Sequence, residues 1–292
     1  MQNKKNKFSL LFNDKLALVS SIFLVLILFT AIFGPLLTSD LSTKMNLRLR
    51  NLPPFSLEHG FMYIFGADAL GRSMVARLII ASQNTMFIAG SAVFISMSLG
   101  GVLGLISGYY GGSIGNLIMR LADIIMSFPS LLLAVIVLYI FEPGLINLIM
   151  VLAFTRMPVY MRTARAEVLE IRERLFVSAA VTMGASNYRI VFKHIAPLAI
   201  PTLLTIATLD FAFVMLGESA LSFLGVGIQP PSADWASMVR ENAILIQYAQ
   251  YDITAGLTPL IPAAAIALLC LAINFVVDWY LYIISGLKDD VK

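Results

Sequence analysis

The chain is poor in charge and nearly without cysteine and histidine, and each shortage excludes a class of chemistry. Of its 292 residues only 13% are charged, where a soluble domain carries roughly a quarter. With 59% of the residues apolar, lipid is the expected main solvent. The one cysteine, Cys270, stands inside an apolar run. It excludes an intrachain disulfide and a cysteine-based metal centre, and it reads as a small buried hydrophobe. The two histidines, His59 and His194, fall outside the apolar runs and have no second His or Cys at ligand spacing, so no metal site is expected. The pattern G-x-x-x-x-G-K-S/T is absent, so this chain has no loop of that kind to cradle nucleotide phosphates. The net charge of +3 is small, and its basic residues cluster at the ends of apolar segments. That is a mark of membrane orientation and not of a nucleic-acid surface.

What the chain does have is long apolar runs. A helix needs about 20 residues to cross the hydrocarbon layer. The runs Leu16–Leu37, Leu78–Ile106, Leu117–Phe141, Leu145–Tyr160, Leu198–Gly225 and Ile253–Tyr282 predict six spans and an all-α membrane protein. The basic start Met1–Lys7 has the look of a signal peptide, but the apolar stretch after it is long and lacks a small-residue cleavage site, so an uncleaved first span is expected. The expected layout is a tail over 1–15, the first span over 16–37, a polar loop over 38–77, a five-span core over 78–285 and a second tail over 286–292. The loop between the fourth and fifth runs carries Arg162, Arg165, Arg172, Arg174, Arg189 and Lys193, whereas the loop after the fifth run has only Arg240. By the positive-inside rule the Arg-rich loop is cytoplasmic, and by parity both termini share its side. Gly100, Gly104 and Gly108 repeat at four-residue spacing, which predicts close helix packing.

The stretch 166–195 is unusual for a loop. Val168, Leu169, Ile171, Leu175 and Phe176 recur at helical spacing opposite a charged face. Small residues Ser178, Ala179 and Ala180 follow, then Gly184 as a stop and Ser186 as the cap of a second short helix, Asn187–His194, that Pro197 is expected to end. This predicts a helix–turn–helix excursion whose small residues offer a docking surface to another protein.

Ser178-Ala179-Ala180, Gly184-Ala185-Ser186 and Ile195-Ala196-Pro197 together resemble the EAA loop of bacterial ATP-binding-cassette importers. Further blocks resemble, in order, the second permease subunit of the dipeptide/oligopeptide/nickel family. They are Phe65–Arg72, Gly108–Gly112, Arg120–Asp123, Phe128–Ser130, Glu218–Gly225, Gln229–Pro231 and Asp234-Trp235. The resemblance implies a type I importer permease of MetI-like fold in a bacterial cytoplasmic (inner) membrane. It also implies a companion permease subunit, two ATPase subunits that bind ATP and Mg, and an extracytoplasmic solute-binding protein, with peptides as the default cargo. The permease itself would bind no cofactor and catalyse no reaction. The residues implied to meet the ATPase are Ser178, Ala179, Ala180, Gly184, Ala185, Ser186, Ile195 and Pro197. Ser178 stands where the family usually has Glu, and the Trp279–Ile284 end departs from the family's polar tail.

Charges inside apolar runs need partners or roles. Arg120 and Asp123, three apart on one helix, are expected to form an ion pair. Arg156 reads as a side chain that snorkels from the end of its span. Asp210, with no evident partner in the chain, and Glu218 are candidates either for the pore lining or for interhelical bonding. A rival reading makes the chain a proton-coupled secondary transporter that uses these two acids. No inverted repeat supports it, and it leaves the 166–195 excursion without a purpose. A membrane-embedded serine hydrolase would need a base, and no histidine lies within a span.

Overall fold

The computed structural model describes residues 14–230 and 232–284. The expected tail 286–292, nearly all of the tail 1–15, and Pro231 lie outside the described residues. Every regular element among the described residues is helical, in the order α1 (Lys15–Thr43), α2 (Met74–Tyr110), α3 (Gly112–Met126), α4 (Ser130–Phe141), α5 (Leu145–Arg172), α6 (Leu175–Thr182), α7 (Asn187–Arg189), α8 (Ala196–Phe223), α9 (Trp235–Asn242), α10 (Leu245–Tyr248), α11 (Ile253–Leu257) and α12 (Leu260–Ile284). Three short 3-10 turns lie between α1 and α2, and a π-helical turn, Ile190–Ile195, joins α7 to α8. Five segments are long and apolar enough to cross a membrane, and α3 with α4 forms a sixth candidate bent by 86°.

The expected third span over Leu117–Phe141 is thus broken at Pro129, which the sequence places within it. Pro129 has no N–H to give the helix and disfavours a helical backbone at the residue before it, and its own backbone is extended (φ −57°, ψ 123°), so α3 stops at Met126 and α4 starts afresh after Pro129. α4 has only 12 residues, about 18 Å at 1.5 Å per residue, and is too short to cross alone.

The chain forms two compact units. One holds Gly90–Glu142 and Ile146–Val214; the other holds the chain up to Ala89, Pro143–Leu145 and the chain from Met215. In the first unit α2 and α5 pack along a seam of small residues. A Cβ at Gly100 would lie 2.5 Å from the Met157 carbonyl oxygen, one at Gly104 2.4 Å from that of Met161, and one at Gly108 2.7 Å from Val168 Cβ. Ser96 Oγ donates to the Ala153 carbonyl at 2.9 Å on the same line. The glycine spacing is therefore a close-approach surface. Both helices ascend in number along the seam, so they run parallel. The chain leaving the end of α2 must return before α5 begins, and α3 and α4 are the only segments available to carry it. The bent pair thus carries the chain back and is the sixth candidate crossing among the described residues.

Gly104→Val is expected to destabilise the chain by about 1–3 kcal/mol, because a carbonyl and Ala164 Cβ (2.6 Å from the ideal Cβ) occupy the space. Gly90→Ala, whose Cβ meets only Phe211 at 3.8 Å, is expected to be neutral. Thermal unfolding of the two purified variants checks the pair.

In the second unit α12 packs against α1 and against α9. α9 starts from a capping box at Asp234 and Ser237 and buries Trp235 and Met238. The Trp235 indole N–H donates to the Leu78 carbonyl at 3.0 Å, fastening α9 to the first turns of α2. The segment expected to be a plain polar loop over 38–77 is partly ordered: α1 runs on to Thr43, and Ala67 bridges Ser73.

Candidate functional site

The excursion after the fourth span is built on α5. Helix α5 continues unbroken through Arg172, so Ala166–Arg172 prolongs the span and is not a separate loop helix. Three arginines of α5 tie its end to neighbouring elements. Arg165 Nη1 reaches Ser107 Oγ at 3.2 Å and the Gly115 carbonyl at 3.1 Å, and Arg172 Nη1 reaches the Gly108 carbonyl at 3.3 Å. Arg162 Nη2 reaches Asp123 Oδ1 at 2.6 Å. Asp123 therefore pairs across to α5 and not with Arg120, which corrects the expected ion pair. The helix α5 lying beside α3 offers a guanidinium in direct reach, whereas Arg120 projects from Asp123's own helix. Both partners of the Arg162–Asp123 pair are exposed, so the bond contributes little stability.

After a turn at Glu173-Arg174 comes α6, and its end explains the spacing of the small residues. The Ala185 N–H bonds the Ala180 carbonyl at 3.0 Å, the Gly184 N–H bonds the Val181 carbonyl at 2.9 Å, and Gly184 has φ +77°. This is a Schellman stop with glycine in the left-handed position. Ala185 packs back on the cluster that contains Ala180, as that motif requires. The pattern Ala180, three residues, Gly184-Ala185 is thus the chemistry of one helix ending. Glu218–Gly225 ends α8 in the same way. The Val226 N–H bonds the Leu221 carbonyl, the Gly225 N–H bonds that of Ser222 (both 3.1 Å), and Gly225 has φ +89°.

Ser178 and Ala179 are exposed on α6, while Ala180 is buried. The Ser178 hydroxyl donates to the Leu175 carbonyl of its own helix at 2.8 Å. Ser186 stands at the N-cap of α7 with extended backbone but makes no side-chain cap bond. Ile195 is fully buried. Pro197 does not end a helix as expected: it sits in the first turn of α8, which runs on to Phe223. The π-helical turn just before it supplies the irregular backbone that lets a residue without an N–H be accommodated.

The inner face of this element is a buried cluster of Leu105, Val168, Ile171, Val177, Ile190 and Ile195 with small neighbours. Its outer face mixes exposed charges such as Glu170, Glu173, Arg174 and Arg189 with exposed apolar side chains. Leu175 is 86% exposed, Met183 80% and Tyr188 74%, and Val181 stands out beside them. Of the apolar residues that recur at helical spacing, Val168 and Ile171 are buried, whereas Leu169, Leu175 and Phe176 are exposed. An open hollow of about 350 Å³ lies at the stop, lined by Phe176, Ala180, Met183, Gly184, Arg189 and His194 among others.

Asp210 is 1% exposed on α8 and has partners that the sequence did not reveal. Arg156 Nε donates to Oδ1 at 2.6 Å, Arg156 Nη2 also reaches Oδ1, and the Tyr160 hydroxyl donates to Oδ2 at 3.0 Å. The Arg156 guanidinium also stacks over Phe213, 5.5 Å from the ring centre. Asp210 is thus an interhelical bond between α5 and α8, and Arg156 does not snorkel. Glu218, fully buried, meets Ser222, which in turn meets the cap residue Asp234. Another buried charge group was missed entirely. Asp68 bonds Arg72 and Arg77 at 2.7 Å each, and Glu241 reaches Arg77 at 2.8 Å. Among the described residues no group of three or more His, Cys, Asp or Glu is placed to hold a metal ion.

These features define a multi-pass helical membrane protein whose element after α5 carries exposed apolar side chains. Residues 100–286 match the family model described as "Binding-protein-dependent transport system inner membrane component", and residues 8–54 match "N-terminal TM domain of oligopeptide transport permease C". The chain belongs to this family of inner membrane components of binding-protein-dependent transport systems. It is 36% identical to a dipeptide transport system permease protein, DppC, of Alkalihalophilus pseudofirmus, over 98% of this chain and 88% of that one. It is also 36% identical to the di/tripeptide permease protein DppC of Pseudomonas aeruginosa, covering 95% and 88%. An oligopeptide transport system permease protein, OppC, of Bacillus subtilis is 32% identical, covering 95% and 85%. A solved structure of the methionine transporter MetNI in an inward-facing conformation aligns at 20% identity with a TM-score of 0.46, covering 66% of this chain and 93% of that one.

Proposed function

We propose that this chain is one of two permease subunits of an ATP-driven importer for di- or oligopeptides, and that the element 166–195 is where the ATPase subunits grip it. The observation that carries the reading is the two-faced build of that element. Its inner face is fused to α2, α5 and α8 by buried apolar side chains, while Leu175, Met183 and Tyr188 stand out on the other side. A helix so attached transmits a push from outside directly into the fourth and fifth spans. ATP and Mg bind on the partner chains, and a solute-binding protein delivers cargo from the far side. The chain sits in a bacterial inner membrane with both termini and the docking element in the cytoplasm, as the arginine distribution supports. Peptide cargo rests on the names of the relatives.

The test is Gly184→Leu in the complex reconstituted into vesicles. A leucine at φ +77° is strained by about 1–2 kcal/mol and adds bulk at the hollow. Peptide uptake is expected to fall to background while ATP hydrolysis persists and the complex still forms. Uptake at the wild-type rate would sink the coupling role, and co-purification without any ATPase chain would sink the importer reading itself.

A further inference from the structure

The break between α3 and α4 opens beside a hollow of about 220 Å³ within one compact unit. Met126, Phe128, Ser130, Thr155, Arg156 and Val159 are among the residues that line it. Two independent features of this hollow call for water or a polar guest. The first is backbone. Ser127, Phe128 and Pro129 lie outside any helix, between two helices that together are long and apolar enough for one crossing. Irregular backbone at membrane depth survives only where it is buried in protein or lines a water-filled cavity. All three residues are exposed, so this chain does not bury them.

The second feature is charge. Arg156 lies in a candidate span, and its side chain is 29% exposed although it pairs with Asp210. A guanidinium has five N–H groups to give. Nε and Nη2 meet Asp210, and the N–H groups of Nη1 have no acceptor among the described residues. Bare donors on a charged group are costly in hydrocarbon, and such groups face a cavity or a bundle interior. Charge also decides which guest fits. Asp210 already neutralises Arg156, so a carboxylate or phosphate would bring an unbalanced negative charge to membrane depth. A neutral carbonyl oxygen accepts from Nη1 without that cost. Peptides carry such an oxygen at every residue, whatever their side chains. Met126 and Phe128 add an apolar wall, and the methionine adapts to differing side chains. The hollow is smaller than the roughly 300–1,000 Å³ of ordinary ligand pockets, so it holds part of a peptide and holds it weakly. We propose that this hollow is a station on the cargo path, where Arg156 donates from Nη1 to backbone carbonyl oxygens of a passing peptide. The inference rests on the importer reading and adds a contact that lets one pore accept peptides of differing sequence.

The test uses the whole complex in vesicles, with Cys270→Ala so that an introduced thiol is this chain's only one. Val159→Cys and Phe128→Cys each place a thiol at the hollow, and the second serves should the first disturb packing. A charged, water-soluble thiosulfonate is expected to modify both, because it reaches only hydrated thiols and reacts with the thiolate. Peptide with ATP is expected to slow that modification severalfold. Arg156→Lys keeps a charge opposite Asp210 but loses the planar fork, and peptide uptake is expected to fall about tenfold while ATP hydrolysis persists. Thiols that stay unmodified lie against lipid or the companion subunit, and that result overturns the proposal. Modification that peptide does not slow overturns it as well, since the hollow is then off the cargo path. Wild-type uptake by Arg156→Lys removes the carbonyl contact. In each of these cases the unsubstituted complex still imports peptide. A complex that imports none is a different failure, in which the importer reading falls and takes this inference with it.

Discussion

Asp210→Ala is expected to destabilise the chain by about 3–5 kcal/mol and to abolish assembly of a transport-competent complex. The carboxylate is almost completely buried in a spanning helix and accepts from two donors on another helix, Arg156 and Tyr160. Removing it leaves a guanidinium in the span with no counter-charge, held only by its stacking on Phe213. An unpaired cation at membrane depth is among the most disfavoured groups a span can hold. The discriminating variant is therefore the double one. Arg156→Met with Asp210→Ala removes both charges and is expected to recover most of the lost stability, since a buried ion pair is worth little more than an apolar replacement. Thermal unfolding of both variants in nanodiscs checks this. If the double variant is as unstable as Asp210→Ala alone, the loss comes from packing around position 210 and not from the orphaned charge.

The distinction matters for function, because Arg156 sits beside the bend between α3 and α4. It lines a hollow with Ile125, Met126, Phe128 and Ser130, which flank that bend. The ion pair therefore anchors α5 to α8 at the level where the third crossing is broken. In the proposed importer, spans that move together when the element 166–195 is pushed need such a fixed joint.

How much of this was legible in the sequence depended on the range of the interaction. The crossings were visible because apolar length is a local property. The break at Pro129 was equally local, yet a long apolar run hides it: hydropathy does not change where a helix changes direction. The glycine line over Gly100, Gly104 and Gly108 was readable as a packing face, but its partner, the carbonyls of Met157 and Met161, was not, since backbone atoms leave no pattern in side-chain chemistry. The small residues at Ala180 and Gly184 were legible as a resemblance, and only the observed bonds turned them into a helix stop. Long-range charge pairing was the least legible. Arg156 and Asp210 are 54 residues apart, and Arg77 and Glu241 are 164 apart, so neither pair has a sequence spacing to betray it. The same holds for Asp123. A plausible partner three residues away drew the expectation, and a better one on the neighbouring helix took the bond.

Asp68→Ala is expected to cost about 3–5 kcal/mol, and for a reason that the count of charges makes plain. Asp68 is 2% exposed and takes Arg72 Nε and Arg77 Nη1 at 2.7 Å each. It also accepts from the backbone N–H groups of Leu70 and Arg72, both at 2.9 Å. One side chain thus closes the turn of the Phe65–Arg72 block and holds two buried guanidiniums. The other acid, Glu241 on α9, is 24% exposed and reaches the same arginines at 2.8 and 3.4 Å. With Asp68 gone, two guanidiniums face one half-solvated carboxylate and two backbone donors lose their acceptor. With Glu241→Gln, Asp68 still spans both arginines, and the loss is expected to be smaller, about 1.5–3 kcal/mol for a bond to a charged group. Since α9 also rests on Trp235 and on the Asp234 cap, Glu241→Gln should leave it in place, whereas Asp68→Ala should free the turn before α2. Limited proteolysis between residues 44 and 73 reports the difference directly. Cleavage that rises in Asp68→Ala but not in Glu241→Gln makes Asp68 the organising charge. Equal cleavage in both would show instead that the arginines are held by the pair of acids jointly, with neither dispensable.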